Sequence, residues 1–179
     1  MSHVMVDLET LSTSDNALIV SIGAVRFNPL APEVFDQFHV GIDLDSLPGN
    51  AYGFDISPAT VGWWLASDRA AGRDALSQVD KTDIASALDG FSLWLGPNAR
   101  VWGNGASFDN VILRNAYEKL GLEAPWPFYR DRCYRTIKNL APELRATRIG
   151  AHHSALDDAL TQVSHLQKLV SYLRLTEVD

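Results

Sequence analysis

Three segments near the start of the chain have the apolar, β-branched composition of strands. They are "HVMVDLE" (3–9), "ALIVSIGAVRF" (17–27) and "EVFDQFHVGI" (33–42), which are rich in Val, Ile and Phe. The connecting pieces "LSTSDN" and "NPLAP" are short and turn-like. Because short connections join neighbouring antiparallel strands, we predict that these segments form consecutive antiparallel strands of one sheet.

The middle of the chain changes to a helical period. Segment 57–67 begins with Ser57 as a candidate N-cap and with Pro58 at the first helical position, a typical helix start. Segment 81–96 places apolar residues three and four positions apart before a Gly-Pro pair. Both patterns predict helices.

The second half of the chain alternates between the two periods. The predicted elements are a buried strand at 99–104, a helix at 107–122, a strand leading into a short helix at 128–136, and a long helix at 154–175. Strands first, followed by alternating strands and helices, predict an α/β fold. Its mixed central sheet should hold three antiparallel strands and then parallel strands, flanked by helices.

Composition places the chain among ordinary globular proteins. Its 179 residues, 46% hydrophobic and 21% charged, predict one domain over 1–179. No apolar run approaches the ~20 residues of a membrane span. The first ten residues lack a signal-peptide pattern, so we expect a cytoplasmic protein.

The charge and the cysteine count narrow the chemistry further. The net charge of −7 argues against a broad basic surface that grips nucleic acid. It does not exclude a nuclease, because carboxylates that hold metal ions contribute to that charge. Cys133 is the only cysteine, which excludes an intramolecular disulfide.

Two acids lie close together in the first predicted strand. Asp7 and Glu9 are two residues apart in "VMVDLET", and such residues project from the same face of a strand. Like charges held side by side cost stability unless a cation lies between them. The pair therefore predicts a cation site, and the alternative is a solvent-exposed strand end.

Acids also occur at the start of two predicted helices. Asp109 in "WGNGASFDNVIL" follows a buried strand, at the sheet edge where ligands bind in α/β proteins. The alternative is an acid that only stabilises the helix dipole. In "HHSALDDALTQ", Asp157 and Asp158 both lie off the apolar stripe of the last helix, so its helical phase does not choose between them.

Together these segments resemble the three motifs of the DEDDh family, the DnaQ-like 3′-5′ exonucleases. The matches are "DLET", "NGASFD" and "HSALDDA", in the order of the family and over nearly the whole chain. The third motif of the family is His, any residue, Ala, two residues, Asp, Ala, which His153 and Asp158 satisfy. The alternative frame of His152 and Asp157 places Ser154 where an alanine belongs. A histidine, rather than the tyrosine of the DEDDy group, supports the DEDDh assignment.

The resemblance implies a ribonuclease H-like fold and a metal-dependent 3′-5′ exonuclease, similar to small stand-alone bacterial or phage enzymes. The carboxylates of Asp7, Glu9, Asp109 and Asp158 would hold two divalent ions, Mg²⁺ or Mn²⁺, since both prefer oxygen ligands. His153 would be the general base. The expected products are nucleoside 5′-monophosphates released from a 3′ end. RNA is slightly favoured over DNA because stand-alone members include several exoribonucleases.

The resemblance also suggests substrate contacts. The backbone at Thr10 and Leu11 would approach the terminal nucleotide, and Asn104 and Phe108 would line its pocket. An aromatic ring such as Phe108 stacks on a base with little sequence preference. The alternative for Phe108 is a place in the hydrophobic core.

Further residues are candidates for a nucleic-acid or protein partner. Arg130, Arg132 and Arg135 form a basic cluster that predicts phosphate contacts, with Arg135 as the substrate contact and surface solvation as the alternative. Trp63 and Trp64 are adjacent and cannot share a helix face, so one is expected in the core and the other at a stacking or interface position. Small stand-alone DEDDh enzymes are often homodimers, and a homodimer is expected as one assembly.

Two other functions compete with the exonuclease. One is a catalytically inactive nucleic-acid-binding module of the same fold. All five catalytic positions carry the required residue types, which disfavours it. The other is a metal-dependent phosphoesterase for small nucleotides, which activity on short and long substrates would distinguish.

Overall fold

The computed structural model describes residues 2–47 and 52–177 of the chain. Within these residues, six strands form one mixed sheet. The strands are β1 (His3–Thr10), β2 (Ile19–Asn28), β3 (Glu33–Ile42), β4 (Lys81–Thr82), β5 (Arg100–Gly103) and β6 (Asp131–Cys133). Their order across the sheet is β4-β3-β2-β1-β5-β6.

Helices fill the connections that follow the third strand. They are α1 (Pro58–Leu65), α2 (Ala70–Gln78), α3 (Ile84–Leu95), α4 (Asp109–Lys119), α5 (Tyr134–Lys138) and α6 (Ala155–Tyr172), with single 3-10 turns at Leu44–Ser46, Ser67–Arg69 and Phe128–Arg130. Ser57 caps α1 by accepting the N–H of Thr60, as the Ser-Pro start predicts. Among the described residues, no helix has the length and apolar character that crossing a membrane requires.

The predicted fold class is confirmed. Strand β2 pairs antiparallel with both β1 and β3, so the first three strands form a meander. Strands β5 and β6 add in parallel beside β1, and the short β4 runs parallel to β3. The sheet is thus antiparallel across β1, β2 and β3 and parallel toward both edges.

The alternation of β1 determines where its acids point. Val4, Val6 and Leu8 contribute to the core beneath α3 and α4, whereas Met5 faces the opposite layer, which is formed with α6. Because side chains alternate along a strand, Asp7 and Glu9 lie on the Met5 face. The acids are therefore turned toward helix α6.

Helix α6 approaches the sheet unusually closely at one glycine. A Cβ on Gly23 would lie 2.2 Å from the backbone carbon of Ala155 and 2.3 Å from the backbone nitrogen of Leu156. Gly23 is paired with Asp7 in the sheet. A residue without a side chain therefore lets the first turn of α6 rest beside the centre of β1.

Two elements differ from the predicted ones. The helix predicted at 81–96 begins only at Ile84, because Lys81–Thr82 pairs with Gly41 and Ile42 as a strand. Asp83 then caps the helix at the N–H of Ser86. Helix α2 was not predicted, since its sequence is polar overall and Gly72 is its only buried residue among those whose side chains are described.

Candidate active site

Asp109 is tied by its carboxylate to the strand that carries the acid pair. It opens helix α4, just after strand β5, and is 3% exposed. Its Oδ1 accepts the N–H of Leu8 at 3.2 Å, and its Oδ2 accepts the N–H of Asn104 at 3.0 Å. Since Leu8 separates Asp7 from Glu9, these bonds hold the third acid beside the pair.

Asp158 joins the cluster from the first turn of helix α6. Its Oδ2 accepts the N–H of His153 at 3.0 Å, and its Oδ1 is paired with the guanidinium of Arg148. Ligand atoms of Glu9, His153 and Asp158 all lie within 4.8 Å of one another. The fourth acid and the histidine are thus brought to the same place as the strand acids.

The neighbouring Asp157 is turned elsewhere. Its Oδ2 accepts the N–H of Ala151 at 2.8 Å, and its carboxylate packs where a Cβ on Gly150 would lie. Asp157 therefore supports the loop before α6. Of the two frames left open by helical phase, the structure brings the His153 and Asp158 pair to the other acids.

Burial and mutual repulsion strongly affect the protonation of this cluster. Burial, followed by the charges of Asp158 and Asp109, raises the pKa of Glu9 to about 8. Burial also raises the pKa of Asp109 to about 7, against the lowering effect of its backbone hydrogen bonds. The pKa of Asp7 is raised well above its ordinary value by burial and by the other three acids. The site therefore favours either protons or added cations.

The donor set fits hard divalent cations. Four carboxylates supply only oxygen ligands, the kind that Mg²⁺ and Mn²⁺ prefer, and their repulsion is relieved when a cation lies between them. The residues that could hold the metal are Asp7, Glu9, Asp109 and Asp158, with His153 at the edge of the cluster.

Two residues of this site were missed from the sequence. Gln162 donates from Nε2 to Asp7 Oδ1 at 2.6 Å, and it lies one helical turn after Asp158. That spacing of four on one helix is a signal that could have found it. Arg148 contacts Asp158 from the preceding loop, and no periodicity marks a residue in such a segment.

His153 has an unusual backbone and an aromatic neighbour. Its φ of 61° lies in the left-handed region, which is uncommon for residues other than glycine. The imidazole meets the ring of Trp63 edge to face, with centroids 4.7 Å apart. Burial lowers the pKa of His153 below its ordinary value, more than the nearby Asp158 carboxylate raises it. The neutral imidazole is therefore favoured.

The adjacent tryptophans Trp63 and Trp64 differ in their burial. Trp64 is 6% exposed and donates from Nε1 to the carbonyl of Thr10 at 3.0 Å. Trp63 is 39% exposed and carries the guanidinium of Arg69 over its ring at 4.4 Å. Trp64 is thus the core residue, and Trp63 is the one that reaches the surface.

An apolar cavity of about 460 Å³ opens beside Glu9. Thr10 and Phe108, two of the predicted substrate contacts, line it together with both tryptophans. Its remaining lining residues are Leu8, Thr13, Ser57, Ala59 and Thr60. A cavity of this size beside an acidic cluster can hold a base or a sugar.

Leu11 does not belong to this cavity. Its N–H donates to the carbonyl of Leu18 and its carbonyl accepts the N–H of Ser57, both at 2.9 Å. Its side chain lines a separate cavity with Phe54 and Ile56. Because both backbone groups are already hydrogen-bonded, the predicted approach of the Leu11 backbone to a nucleotide would have to be a contact without new backbone hydrogen bonds, and it stays a prediction.

Asn104 and Arg135 lie together on another side of Asp109. Arg135 donates from Nη2 to the carbonyl of Asn104 at 2.5 Å, and its guanidinium packs against Gly105. Neither residue lines the cavity beside Glu9, to which Phe108 contributes. Arg135 is exposed and its charge lowers the pKa of Asp109, so it lies within electrostatic reach of the acids.

Arg132 does not act as a free member of the basic cluster. It donates to the carbonyls of Tyr129 at 3.1 Å and Asp131 at 2.9 Å. These bonds hold the turn before β6. The phosphate contacts expected of Arg130, Arg132 and Arg135 stay a prediction.

The fold and the convergent acids define the class of the chain as a DEDDh 3′-5′ exonuclease with a ribonuclease H-like fold. Residues 2–170 match the model of the Rv2179c-like 3′-5′ exoribonuclease domain. The chain belongs to this family.

Solved structures share the fold at low sequence identity. The nuclease domain of 3′hExo, a DEDDh family member bound to rAMP, is 14% identical with a TM-score of 0.63, over 96% of this chain and 92% of that one. The cell-death related nuclease CRN-4 is 14% identical with a TM-score of 0.63, over 96% and 64%.

Exonuclease I of E. coli in complex with a dT13 oligonucleotide is 15% identical, with a TM-score of 0.63 over 97% of this chain. The chain spans only 41% of the length of that exonuclease. No curated protein matches the chain in sequence. These structures therefore establish the fold, and the family model establishes the membership.

Proposed function

We propose that the chain removes nucleotides one at a time from the 3′ end of a nucleic acid, RNA in preference to DNA, and releases nucleoside 5′-monophosphates. The observation that carries the proposal is the convergence of four carboxylates and His153 beside a cavity that can hold a base or a sugar. The exoribonuclease description of the family supports RNA. Oligonucleotide and rAMP complexes of the structural neighbours support a nucleic-acid substrate.

Two divalent ions, Mg²⁺ or Mn²⁺, are proposed as cofactors of Asp7, Glu9, Asp109 and Asp158. When bound, such ions activate a water molecule and stabilise charge on the departing oxygen. Hydrogen bonds within the protein orient two of these carboxylates. The backbone N–H groups of Leu8 and Asn104 orient Asp109, and Gln162 orients Asp7.

His153 is proposed to accept the proton of the attacking water. A ring nitrogen of His153 lies within 4.8 Å of carboxylate oxygens of Glu9 and Asp158, and its lowered pKa keeps the ring neutral near pH 7. The water oxygen forms a bond to phosphorus as its proton moves to the imidazole. The bond from phosphorus to the 3′-oxygen breaks, and that oxygen takes a proton from solvent.

The cavity beside Glu9 is proposed to receive the terminal nucleotide. Phe108 offers aromatic surface for a base, and stacking of this kind tolerates all bases. Thr10 lines the same cavity. Asn104 and Arg135 lie outside the cavity and are proposed to contact phosphate on the side of Asp109.

The test is digestion of 5′-labelled RNA and DNA of one sequence with Mg²⁺, Mn²⁺ or EDTA. The proposal expects a ladder that shortens from the 3′ end and disappears with EDTA. Asp158→Asn should abolish it, whereas the matched Asp157→Asn protein should retain it, because an asparagine at 157 still accepts the Ala151 N–H.

Other results would assign another function. Cleavage of dinucleotides alone would indicate a small-nucleotide phosphoesterase. Binding of RNA without any cleavage by folded wild-type protein would indicate an inactive binding module. Retained activity in Asp158→Asn together with loss in Asp157→Asn would transfer the role to the other frame.

Three expectations remain predictions of the sequence. These are one domain over 1–179, a homodimer and a cytoplasmic location. Light scattering behind size exclusion would measure the assembly. A mass of one chain, 19.7 kDa, would contradict the homodimer.

A further inference from the structure

Within residues 2–47 and 52–177, the imidazole of His153 has no protein hydrogen-bonding partner that would orient it. Its backbone N–H is bonded to Asp158, but among the described residues no group hydrogen-bonds a nitrogen of the ring. A histidine that acts as a general base must point a ring nitrogen at the attacking water, within hydrogen-bonding distance of its proton. The orientation must therefore come from packing.

Aromatic rings provide that packing, and besides the adjacent His152 at 6.1 Å they come from the two tryptophans. Trp63 meets the imidazole edge to face at 4.7 Å and 84°, and Trp64 lies farther away at 6.1 Å. Trp64 is held by its hydrogen bond to the carbonyl of Thr10. Edge-to-face contacts are the preferred arrangement of aromatic pairs. Trp63 thus has the aromatic ring nearest to the imidazole.

The ring of Trp63 is itself held from other sides. The guanidinium of Arg69 lies over it at 4.4 Å, and Trp64 packs edge to face at 5.3 Å. Helix α2 closes the other side of the histidine, because a Cβ on Gly72 would lie 2.8 Å from the Cβ of His153. Arg69, Trp63 and His153 therefore form one continuous stack.

We propose that Trp63 is a positioning residue that orients the imidazole of His153 toward Glu9 and Asp158. The proposal rests on the function proposed for His153 above. It assigns a task to the segment from α1 to α2, which lies outside the three motifs. The stack acts in place of the carboxylate or carbonyl that commonly orients a catalytic histidine.

A second role for Trp63 would give a different kinetic result. The ring is 39% exposed and lines the cavity beside Glu9, so it could instead stack on a bound base. Loss of a stacking contact raises KM, whereas loss of an oriented base lowers kcat. The two roles are therefore separable.

The experiment is steady-state cleavage of a 5′-labelled oligonucleotide by wild type, Trp63→Ala, Trp63→Leu and Trp63→Phe. Orientation by the ring predicts that Ala and Leu lower kcat about tenfold with KM changed less than about twofold. Phe should retain most of kcat, because a phenyl ring still packs edge to face. Leu keeps much of the bulk, so it separates the loss of the ring from a cavity that unfolds the protein.

A double-mutant cycle tests whether Trp63 acts through His153. In the His153→Ala background, Trp63→Ala should cause no further loss in kcat, because residues that act as a unit are non-additive. Trp94 offers a matched control, since Arg26 lies over its ring at 4.8 Å in the same kind of stack. Trp94→Ala should leave kcat unchanged.

A readout independent of activity is the NMR signal of the His153 ring protons. Trp63→Ala should shift these signals by removing the ring current, and Trp94→Ala should not. Unchanged kcat and unchanged signals in Trp63→Ala would overturn the proposal, as would a raised KM at normal kcat. Absence of cleavage by wild type would overturn the function itself, while shifted signals would still show the contact.

Discussion

Arg148 and Asp158 form an ion pair inside the acidic cluster. The Nη1 of Arg148 is bound to Oδ1 of Asp158, and its Nη2 is buried without a hydrogen-bond partner in the part of the chain that the structure describes. The same guanidinium lowers the pKa of Glu9. The chain thus supplies one positive charge of its own to a site with four carboxylates.

Loss of this charge should destabilise the protein most when no metal is bound. Arg148→Gln leaves Asp158 without its partner beside Glu9, and charged hydrogen bonds contribute about 1.5–3 kcal/mol. The melting temperature in EDTA should fall by roughly 3–12 °C. The rise on adding Mn²⁺ should be larger than in wild type, because a competing cation is gone.

Arg145→Gln is the control, since Arg145 is exposed and its replacement removes the same unit of charge. It should melt close to wild type in both conditions. An equal fall for Arg148→Gln with and without Mn²⁺ would contradict the electrostatic explanation and leave a purely structural role.

A methyl group at position 23 should displace helix α6. Gly23→Ala places a Cβ 2.2 Å from the backbone of Ala155, and overpacking of this kind costs about 1–3 kcal/mol. Asp158 lies one turn farther along α6 and should move with it. The cleavage rate should therefore fall even at temperatures at which the Gly23→Ala protein is folded. Melting temperature and cleavage rate measured on the same preparation check both effects.

Gly62→Ala is the matched control for the glycine prediction. Nothing lies within 4 Å of a Cβ built at Gly62, and alanine within a helix is favoured by about 0.5–1 kcal/mol over glycine. This variant should be as stable as wild type or more so. Full activity in Gly23→Ala would show that the helix adjusts without moving its acid.

The metal-free protein should lose stability as the pH rises toward 8. The folded site binds protons that the unfolded chain releases near pH 4, because the pKa is about 8 for Glu9 and about 7 for Asp109. Stability falls with pH wherever the native state holds more protons. His39, His153 and His165, each with a lowered pKa, act in the opposite direction below their ordinary value of 6.5.

The fall is therefore expected between pH 6.5 and 8, as a decreasing melting temperature in EDTA. Saturating Mg²⁺ should reduce it, since the cation replaces the protons. The Glu9→Gln, Asp109→Asn double variant should show a smaller fall in EDTA. A melting temperature that rises from pH 6.5 to 8 in metal-free wild type would refute this assignment of protons.

Removal of Gln162 should weaken metal binding. Its amide donates to Asp7 at 2.6 Å, and residues that orient metal ligands commonly account for 10–100-fold in affinity or activity. Gln162→Leu should therefore lower Mn²⁺ affinity by about that factor in a titration calorimeter. Gln167→Leu, on the same helix but bonded to the β2–β3 turn, should leave it unchanged.

The sequence was most informative where a local rule applied. Alternation placed Asp7 and Glu9 on one face of β1, and the Ser57-Pro58 start marked α1 within one residue. Both signals depend only on neighbouring residues. The motif spacing added the order in which distant segments would meet.

Contacts that depend on tertiary packing were less predictable. Leu11 was expected to contact a nucleotide through its backbone. In the structure its N–H and its carbonyl are hydrogen-bonded to Leu18 and Ser57, which the sequence did not indicate. Arg148 contacts Asp158, and Trp63 contacts His153. Both residues come from segments without any motif. No local pattern reveals such pairings, since they exist only once loops and helices are packed.

The hydrogen bond between Gln162 and Asp7 spans 155 positions of the chain. A ribosome would have to synthesise nearly all of that interval before α6 could dock on the first strand. A nascent chain without α6 lacks Asp158 and thus one of the four acids. The cluster of four acids should therefore remain incomplete in the growing polypeptide until translation has passed the last helix.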